Sequence, residues 1–257
     1  MKTVLLVLAN ALAFVWRLMP DRLRLGGITG LLVLESRHSE PAMGLRRLLL
    51  VRNRLDWIIS ERGMAYGGGE HPKHRLTRYH DFFIQRIPDG ERVLDVGCGY
   101  GAVARSIART RSGCRVVGLD YDKPRLAQAV ASENPSNLSF IEGDATRSVP
   151  KGPWDVVILS NVLEHIVDRV GFLRALQETT CAGRFLIRVP LFERDWQMAL
   201  RRELGVDFRS DDDHKIEHTL EEFRSEMSQS NMQVVELITM WGEIWAECRP
   251  VIVGKAT

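Results

Sequence analysis

The stretch Arg92-Val-Leu-Asp-Val-Gly-Cys-Gly-Tyr-Gly-Ala102 decides the fold of this chain of 257 residues. Its apolar first half predicts a buried strand. Its three glycines predict a tight turn, because a backbone without side chains can adopt left-handed conformations and approach a ligand closely. From Ala102 onward the sequence predicts a helix, whose first N–H groups and positive dipole end would face the turn. A strand, a glycine turn and a helix in this order predict a site for a nucleotide-like ligand.

Asp95 decides between two classes of ligand. The glycines fit the pattern G-x-G-x-x-A, which is close to the dinucleotide fingerprint and keeps an NAD-dependent oxidoreductase as an alternative. However, Asp95 stands two residues before Gly97, and a carboxylate there repels a pyrophosphate and attracts a cation. S-adenosylmethionine (SAM) carries a sulfonium and an ammonium and no phosphate. The stretch resembles motif I of the class I SAM-dependent methyltransferases, of the small-molecule type that includes the ubiquinone methyltransferases.

The resemblance implies SAM as the cofactor and places its contacts at the ends of successive strands. Asp120 ends the second predicted strand and is expected to accept hydrogen bonds from the ribose hydroxyls. The segment Gly143-Asp-Ala145 is expected beside the adenine, and the turn that begins at Ser160 is expected to face the methyl group. The cofactor-binding residues predicted in this way are Asp95, Gly97, Cys98, Gly99, Gly101, Asp120, Tyr121, Asp144, Ala145, Ser160, Asn161 and His165.

After the glycine turn the chain alternates predicted strands and helices, which indicates an α/β fold with a mostly parallel sheet and helices on both faces. The further strands are predicted at Cys114–Leu119, Leu138–Ile141, Trp154–Ser160 and Arg184–Val189, followed by an antiparallel pair at Val234–Thr239 and Ile244–Val253. This order is that of the Rossmann-like, seven-stranded methyltransferase sheet. We predict an N-terminal helical extension over residues 1–66 and a methyltransferase domain over residues 67–257.

Three histidines are the candidate catalytic residues: His165, His214 and His218. His165 follows the fourth predicted strand, where ligands of such sheets collect, and could act as the base for a hydroxyl acceptor. A carboxylate acceptor would need no base, and His165 could instead shape the cofactor pocket. His214 and His218 lie in an insert after the fifth strand, with several acids and with Phe192, Trp196 and Phe208. This insert could cover an acceptor such as a sugar, or it could be a solvated loop.

No metal site is predicted. His74 and His80 are six positions apart and do not share a helix face, and His71 has no cysteine beside it. The four cysteines form no C-x-x-C pair, so the sequence indicates neither a zinc site nor a disulfide framework. Lys73, His74, Tyr79 and His80 precede the first strand, where a lid or substrate contact competes with plain surface polarity.

The N-terminal segment is basic and partly apolar. Residues 1–60 contain nine Lys and Arg side chains against four Asp and Glu side chains. Residues 4–16 are almost all apolar, which fits an interfacial helix or a helix packed on protein better than a signal peptide or a membrane span. A turn is predicted at Gly26-Gly27, a polar linker at residues 36–44 and a basic amphipathic helix at Leu45–Ile59. We therefore expect peripheral membrane contact through residues 1–60, on the cytoplasmic face, or packing on the domain.

The sequence thus predicts a cytoplasmic SAM-dependent methyltransferase that acts on a small-molecule or lipid-linked glycan acceptor, by O-methylation. No nucleic-acid partner is expected, because the fourth strand is not followed by an Asn/Asp-Pro-Pro-aromatic motif. A non-catalytic protein that binds SAM or S-adenosylhomocysteine is the alternative, followed by the NAD-dependent oxidoreductase.

Overall fold

The computed structural model describes residues 12–69 and 71–251. The chain forms two compact units. One unit contains the described residues up to Ala65 together with Leu200–Asp207, and the other contains Tyr66–Ala199 and the described residues from Phe208 onward.

The larger unit is built on a seven-stranded sheet in the order β3-β2-β1-β4-β5-β7-β6. Strands β1 to β5 are parallel, and β7 pairs antiparallel with both β5 and β6. The strands are β1 Arg92–Val96, β2 Arg115–Asp120, β3 Leu138–Glu142, β4 Val156–Ser160, β5 Arg184–Pro190, β6 Met232–Met240 and β7 Glu243–Pro250. The predicted sheet is confirmed, although residues 252 and 253 of the last predicted strand lie outside the described part of the chain.

The helices within the described residues are α1 Asp21–Ser36, α2 Pro41–Tyr66, α3 Lys73–Thr77, α4 His80–Arg86, α5 Ala102–Thr110, α6 Lys123–Ala131, α7 Arg169–Thr180, α8 Gln197–Glu203 and α9 Leu220–Gln229. Short 3₁₀ helices occupy Leu163–His165 and Phe192–Arg194. Helices α7 and α9 each begin with a side-chain cap. Asp168 caps α7 by accepting a hydrogen bond from Gly171 N, and Thr219 begins α9 with a capping box.

Helices cover both faces of the sheet. Side chains alternate along a strand, so Leu94 of β1 belongs to one hydrophobic cluster and its neighbour Val93 to another. Helices α7 and α9 contribute Leu173 and Phe223 to the cluster of Leu94, and α5 contributes Ile107 to the cluster of Val93. The buried apolar strands therefore fix the sheet between two helical layers, and their carboxyl ends are left to form a site.

The N-terminal unit differs from its prediction in two places. Helix α1 runs through Gly26 and Gly27, so the predicted turn is wrong; two glycines cost a helix only about 2 kcal/mol, which its leucine-rich surroundings offset. The predicted linker is also too long, because α2 begins at Pro41, a residue that the first turn of a helix tolerates well. Residues 4–11 of the apolar N-terminal stretch lie outside the described part of the chain, and residues 12–17 are helical.

Arg201 explains why Leu200–Asp207 belongs to the N-terminal unit. Its guanidinium is buried and donates hydrogen bonds to Asn53 Oδ1 and to the carbonyl oxygens of Leu49 and Asp207. Leu49 also packs with Leu204 in a small apolar cluster. None of the helices within residues 12–69 and 71–251 combines the length and the apolarity of a membrane span.

Candidate functional site

The glycine turn after β1 has the conformation that its sequence predicts. Gly97, Gly99 and Gly101 all adopt positive φ angles, of 70°, 53° and 73°. A Cβ at Gly97 would lie 2.7 Å from Val162 Cγ2, and one at Gly101 would lie 2.6 Å from the Phe140 ring, so packing as well as conformation requires glycine there. At Gly99 a Cβ would meet nothing within 4 Å. The turn is therefore closed on its inner side and open at Gly99.

Asp95 lies beside this turn and is 2% exposed. Its Oδ2 atom has no hydrogen-bond partner among the described residues. Burial, reinforced by the charge of Asp120, raises the pKa of the Asp95 carboxyl to about 7. A buried acceptor without a donor is costly, so this atom is suited to a ligand that brings a positively charged donor.

A cavity of about 210 Å³ opens at this edge of the sheet. It is lined by Lys73, His74, Tyr79, Asp95, Gly97, Cys98, Ala102, Val103, Ser160, Asn161 and Arg188. The structure thus brings together five of the predicted cofactor residues and three of the predicted lid residues. The carboxyl ends of β1 and β4 place them there, because these two strands are neighbours in the sheet.

The other predicted cofactor residues are not among those that line this cavity. Asp120 lies next to the glycine turn, where its carboxylate accepts hydrogen bonds from Gly99 N at 2.6 Å and Asp122 N at 2.8 Å. Tyr121 is 72% exposed. Asp144 accepts hydrogen bonds from the Thr146 amide and hydroxyl, and Ala145 packs against the core. Their contacts with ribose and adenine stay predictions.

Arg188 is the main cavity residue that the sequence analysis missed. It is 5% exposed and donates two hydrogen bonds to the Glu243 carboxylate, at 2.6 and 2.7 Å, and one to Ser160 Oγ at 3.0 Å. Its guanidinium lies 3.9 Å from the centre of the Tyr79 ring. Trp245 Nε1 also donates to Glu243. An arginine inside the apolar run of β5 was the available signal, but its partner lies 55 positions away in the chain.

The predicted lid residues His74, Tyr79 and His80 are held in place by specific contacts. Tyr79 Oη lies 2.8 Å from His74 Nδ1, and His80 Nδ1 lies 2.7 Å from Ser106 Oγ. Burial, together with the charges of His74 and Arg188, lowers the pKa of His80 to about 4, so this imidazole is neutral at pH 7. Burial raises the pKa of Tyr79 to about 12. His80 is therefore a packed, neutral residue beside the cavity wall, and His74 and Tyr79 form the wall itself.

The three candidate catalytic histidines occupy different surroundings. His165 and His214 are in ring contact, with their centroids 4.7 Å apart. His165 is partly exposed and His214 is buried. His218 is fully buried in the core, and its Nε2 lies 3.0 Å from Glu226, which also pairs with Arg169. The structure therefore brings two of the histidines together and places the third in a buried ion-pair cluster.

The family model of the methyltransferase domain matches residues 69–237. The chain belongs to the class I SAM-dependent methyltransferases. The cofactor of this family is SAM, which favours the methyl donor over the dinucleotide that the glycine pattern alone also fits.

Relatives and solved structures agree with this family. The ubiquinone biosynthesis O-methyltransferase of Yersinia enterocolitica is 33% identical over 124 residues, which cover 46% of this chain and 50% of the relative. The trans-aconitate 2-methyltransferase of Streptomyces avermitilis is 31% identical over 129 residues, covering 47% and 48%. The chain thus spans about half the length of the curated relatives that it matches.

Two solved structures show the same fold. Magnesium protoporphyrin IX methyltransferase from Synechocystis, with bound S-adenosylhomocysteine, has a TM-score of 0.52 at 16% identity and covers 69% of this chain and 83% of its own. A SAM-dependent methyltransferase from Mesorhizobium loti has a TM-score of 0.51 at 16% identity and covers 64% and 94%.

The residues around the cavity fit SAM. The unpartnered Oδ2 of Asp95 can accept a hydrogen bond from an ammonium, and the open space at Gly99 leaves the backbone accessible. Burial and the charges of Asp95 and Asp120 raise the pKa of Cys98, so this thiol stays uncharged at neutral pH. Asp95 is thus the acidic group of the cavity that suits a cationic methyl donor.

Proposed function

We propose that this chain transfers the methyl group of SAM to an oxygen atom of a small-molecule or lipid-linked glycan acceptor. The observation that carries the proposal is the cavity at the ends of β1 and β4, which is lined both by Asp95, whose buried Oδ2 has no hydrogen-bond partner among the described residues, and by the polar side chains of Ser160 and Asn161. The same cavity thus offers an acid for a cationic donor and polar groups for an acceptor.

SAM, when bound, supplies an activated methyl group. The residues of the chain would hold and shield it: Asp95 would accept a hydrogen bond from the ammonium, and Gly97 would let the backbone approach. Lys73, His74 and Tyr79 form the wall that excludes water. Methyl transfer is an in-line displacement, so alignment contributes more to it than acid–base groups do.

His165, which is in ring contact with His214, is the candidate base that accepts the proton of the acceptor. Burial lowers the pKa of His165, so its imidazole is neutral at pH 7 and able to accept a proton from a hydroxyl. His165 ends the 3₁₀ helix that follows β4, four positions after the cavity residue Asn161. The names of the two relatives, an O-methyltransferase and a methyltransferase of a carboxylic acid, support an oxygen acceptor.

A glycan acceptor is supported by the insert after β5. Trp196 is 73% exposed and is available to stack on a sugar ring, whereas Phe192 and Phe208 pack on each other with their centroids 5.2 Å apart. Asp211 and Asp213 are exposed in the same insert and could accept hydrogen bonds from hydroxyls.

The test is turnover with labelled SAM and panels of phenols, carboxylic acids, free glycans and lipid-linked glycans. Transfer of label to one of these panels supports the proposal. Tight binding of S-adenosylhomocysteine with no turnover on any panel would favour the non-catalytic alternative. Label only in protein or nucleic acid would contradict the proposed acceptor, and tighter binding of NAD than of S-adenosylhomocysteine would revive the oxidoreductase.

We further propose that the N-terminal unit makes a peripheral contact with membrane. Helix α1 has no buried residue, and its apolar side chains are open to solvent, with Leu31 and Leu34 68% and 72% exposed. An exposed apolar surface of this kind marks an interaction site. The excess of basic residues in positions 1–60 suits an anionic surface.

The full chain is expected to co-sediment with phosphatidylglycerol vesicles. The double substitution Leu31→Glu/Leu34→Glu should lower the bound fraction by roughly 10-fold or more, because each leucine buried in lipid contributes about 1.5 to 3 kcal/mol. The control is Val167→Glu, which changes an exposed apolar residue of the other unit. Equal sedimentation of all three proteins would rule out this contact, and a change of elution volume in the double variant would indicate pairing of two chains instead.

A further inference from the structure

Three side chains converge next to the proposed acceptor site. Glu164 and His165 come from the 3₁₀ helix after β4, and His214 comes from the insert after β5. Each offers one ligand atom, and these atoms all lie within 4.8 Å of one another. The prediction of no metal site rested on His71, His74, His80 and the cysteines; His214 is 49 positions from His165, and nothing in the sequence pairs them.

Glu164 is the most informative member of this cluster. Its side chain is fully buried, and neither carboxylate oxygen has a hydrogen-bond partner within the described part of the chain. A buried carboxylate without a partner is strongly unfavourable unless a cation or a proton accompanies it. The Glu164 carbonyl accepts a hydrogen bond from Lys215 N at 2.6 Å, which holds the insert next to the 3₁₀ helix.

His214 is oriented by a buried carboxylate. Its Nδ1 lies 2.9 Å from Glu217 Oε1, and that oxygen also accepts hydrogen bonds from the amide and hydroxyl of Ser210. Arg194 pairs with the other oxygen of Glu217. In the neutral imidazole the Glu217 carboxylate favours a proton on Nδ1, which would leave the Nε2 lone pair for a cation. A histidine held by a carboxylate in this way is typical of metal ligands.

Two exposed carboxylates surround the same point. Asp213 Oδ2 lies 3.1 Å from His165 Nδ1, but this nitrogen has no hydrogen-bond partner within the described part of the chain, so the ring is free to ligate a cation. Asp211 and Asp213 also form an overlapping group with His214, whose ligand atoms lie within 4.8 Å of one another. The surroundings of the three inner side chains are therefore negative and favour a cation.

We propose that Glu164, His165 and His214 bind a divalent transition-metal cation. One carboxylate and two imidazoles suit Zn²⁺ and similar first-row ions better than Mg²⁺, which prefers oxygen ligands. Three protein ligands leave a coordination position open for an oxygen atom. This use of the site rests on the proposed function: the open position would hold an acceptor oxygen that is already a carboxylate or that the cation acidifies so that its proton passes to water, and His165 would then be a ligand of the cation instead of the base.

The test uses the full chain without a purification tag, freed of metal by a chelator and titrated with Co²⁺. Nitrogen and oxygen ligands around Co²⁺ give visible absorption bands that the hydrated ion lacks, and we expect them to saturate at one equivalent. Zn²⁺ should displace Co²⁺, and Mg²⁺ at the same concentration should not.

Variants identify the ligands. Glu164→Gln and His214→Ala are each expected to weaken Co²⁺ binding by about 100-fold, and Glu217→Gln, which only orients His214, by roughly 10- to 100-fold. His165→Ala, at a partly exposed position, provides a ligand variant that is safer for folding. The matched control is His38→Ala, an exposed histidine of the N-terminal unit, which should bind Co²⁺ as the parent does.

The absence of absorption bands in the parent, or unchanged bands in Glu164→Gln and His165→Ala, would overturn the site and assign Glu164 as a neutral, protonated carboxyl. Binding is measured without SAM and without an acceptor. A failure to find methyl transfer would therefore count against the proposed function alone, and a failure to bind Co²⁺ would count against the cation site alone.

Discussion

Replacing Asp95 with asparagine is expected to weaken the binding of S-adenosylhomocysteine by about 100-fold at pH 8, equal to about 3 kcal/mol. The asparagine keeps the shape of the side chain but cannot compensate the positive charge of the ligand's ammonium. Since Asp95 is 2% exposed and its Oδ2 has no donor within residues 12–69 and 71–251, the loss cannot be made up by a neighbouring side chain. Titration calorimetry measures this change directly.

The same carboxylate predicts how binding depends on pH. The pKa of Asp95 is raised to about 7, so the parent holds a neutral carboxyl below that pH and binds the ligand more weakly, by up to about tenfold per unit of pH. Above pH 8 the affinity should level off. In Asp95→Asn the dependence between pH 5.5 and 8 should vanish.

The stability of the ligand-free protein should depend on pH in the opposite direction to the affinity for the ligand. A carboxyl whose pKa is raised by folding stabilises the ligand-free protein while it is protonated, and this contribution is lost as the pH rises through about 7. Asp95→Asn should therefore melt at a higher temperature than the parent at pH 8, which also shows that the variant folds. The control is Asp155→Asn, at the opposite end of the neighbouring strand β4, which should leave the affinity unchanged. If Asp95→Asn and the parent bind S-adenosylhomocysteine with equal affinity at pH 8, Asp95 does not contribute to binding this ligand.

Replacing Glu243 with glutamine is expected to lower the free energy of unfolding by about 3 kcal/mol or more. The change leaves the guanidinium of Arg188 buried without its anionic partner, in a position where the two side chains are only 6% and 20% exposed. Urea unfolding at pH 7 measures the difference, provided that the dependence on urea keeps the same slope.

Two further variants show whether the buried charge is the cause. Replacing both partners, as Arg188→Met/Glu243→Leu, should recover most of the lost stability, because an apolar pair leaves no charge uncompensated. Glu142→Gln removes the acid of the exposed pair Lys123–Glu142, whose side chains are 75% and 50% exposed, and should cost less than about 1 kcal/mol. A double variant as unstable as Glu243→Gln would show that packing of Arg188 on Tyr79, rather than its charge, dominates.

Local signals explain why the fold could be predicted from the sequence. The strand, glycine turn and helix at residues 92–110 lie within one continuous stretch, and the central strands β1, β2, β4 and β5 are largely apolar and buried runs of five to seven residues. The capping residues Asp168 and Thr219 act on amides three positions away. Such features need no knowledge of distant contacts, and the strand order then followed from the resemblance to the methyltransferase sheet.

The residues that the sequence did not reveal depend on distant partners. Arg188 needs Glu243, and Glu164 and His165 need His214, which an insert brings back to the end of β4. Leu200–Asp207 joins the N-terminal unit through Arg201, and neither its composition nor its periodicity predicts this. At Gly26 and Gly27 a local rule pointed to a turn, but the helix-forming residues on either side outweighed it.

The central claim is that the cavity beside Asp95 holds the methyl donor. A crystal structure of the full chain with S-adenosylhomocysteine tests it most directly. We predict that the ligand's amino group lies within hydrogen-bond distance of Asp95 Oδ2 and that its sulfur points toward Ser160 and Asn161. A ligand bound elsewhere, with the Asp95 carboxylate still unpartnered, would contradict the claim.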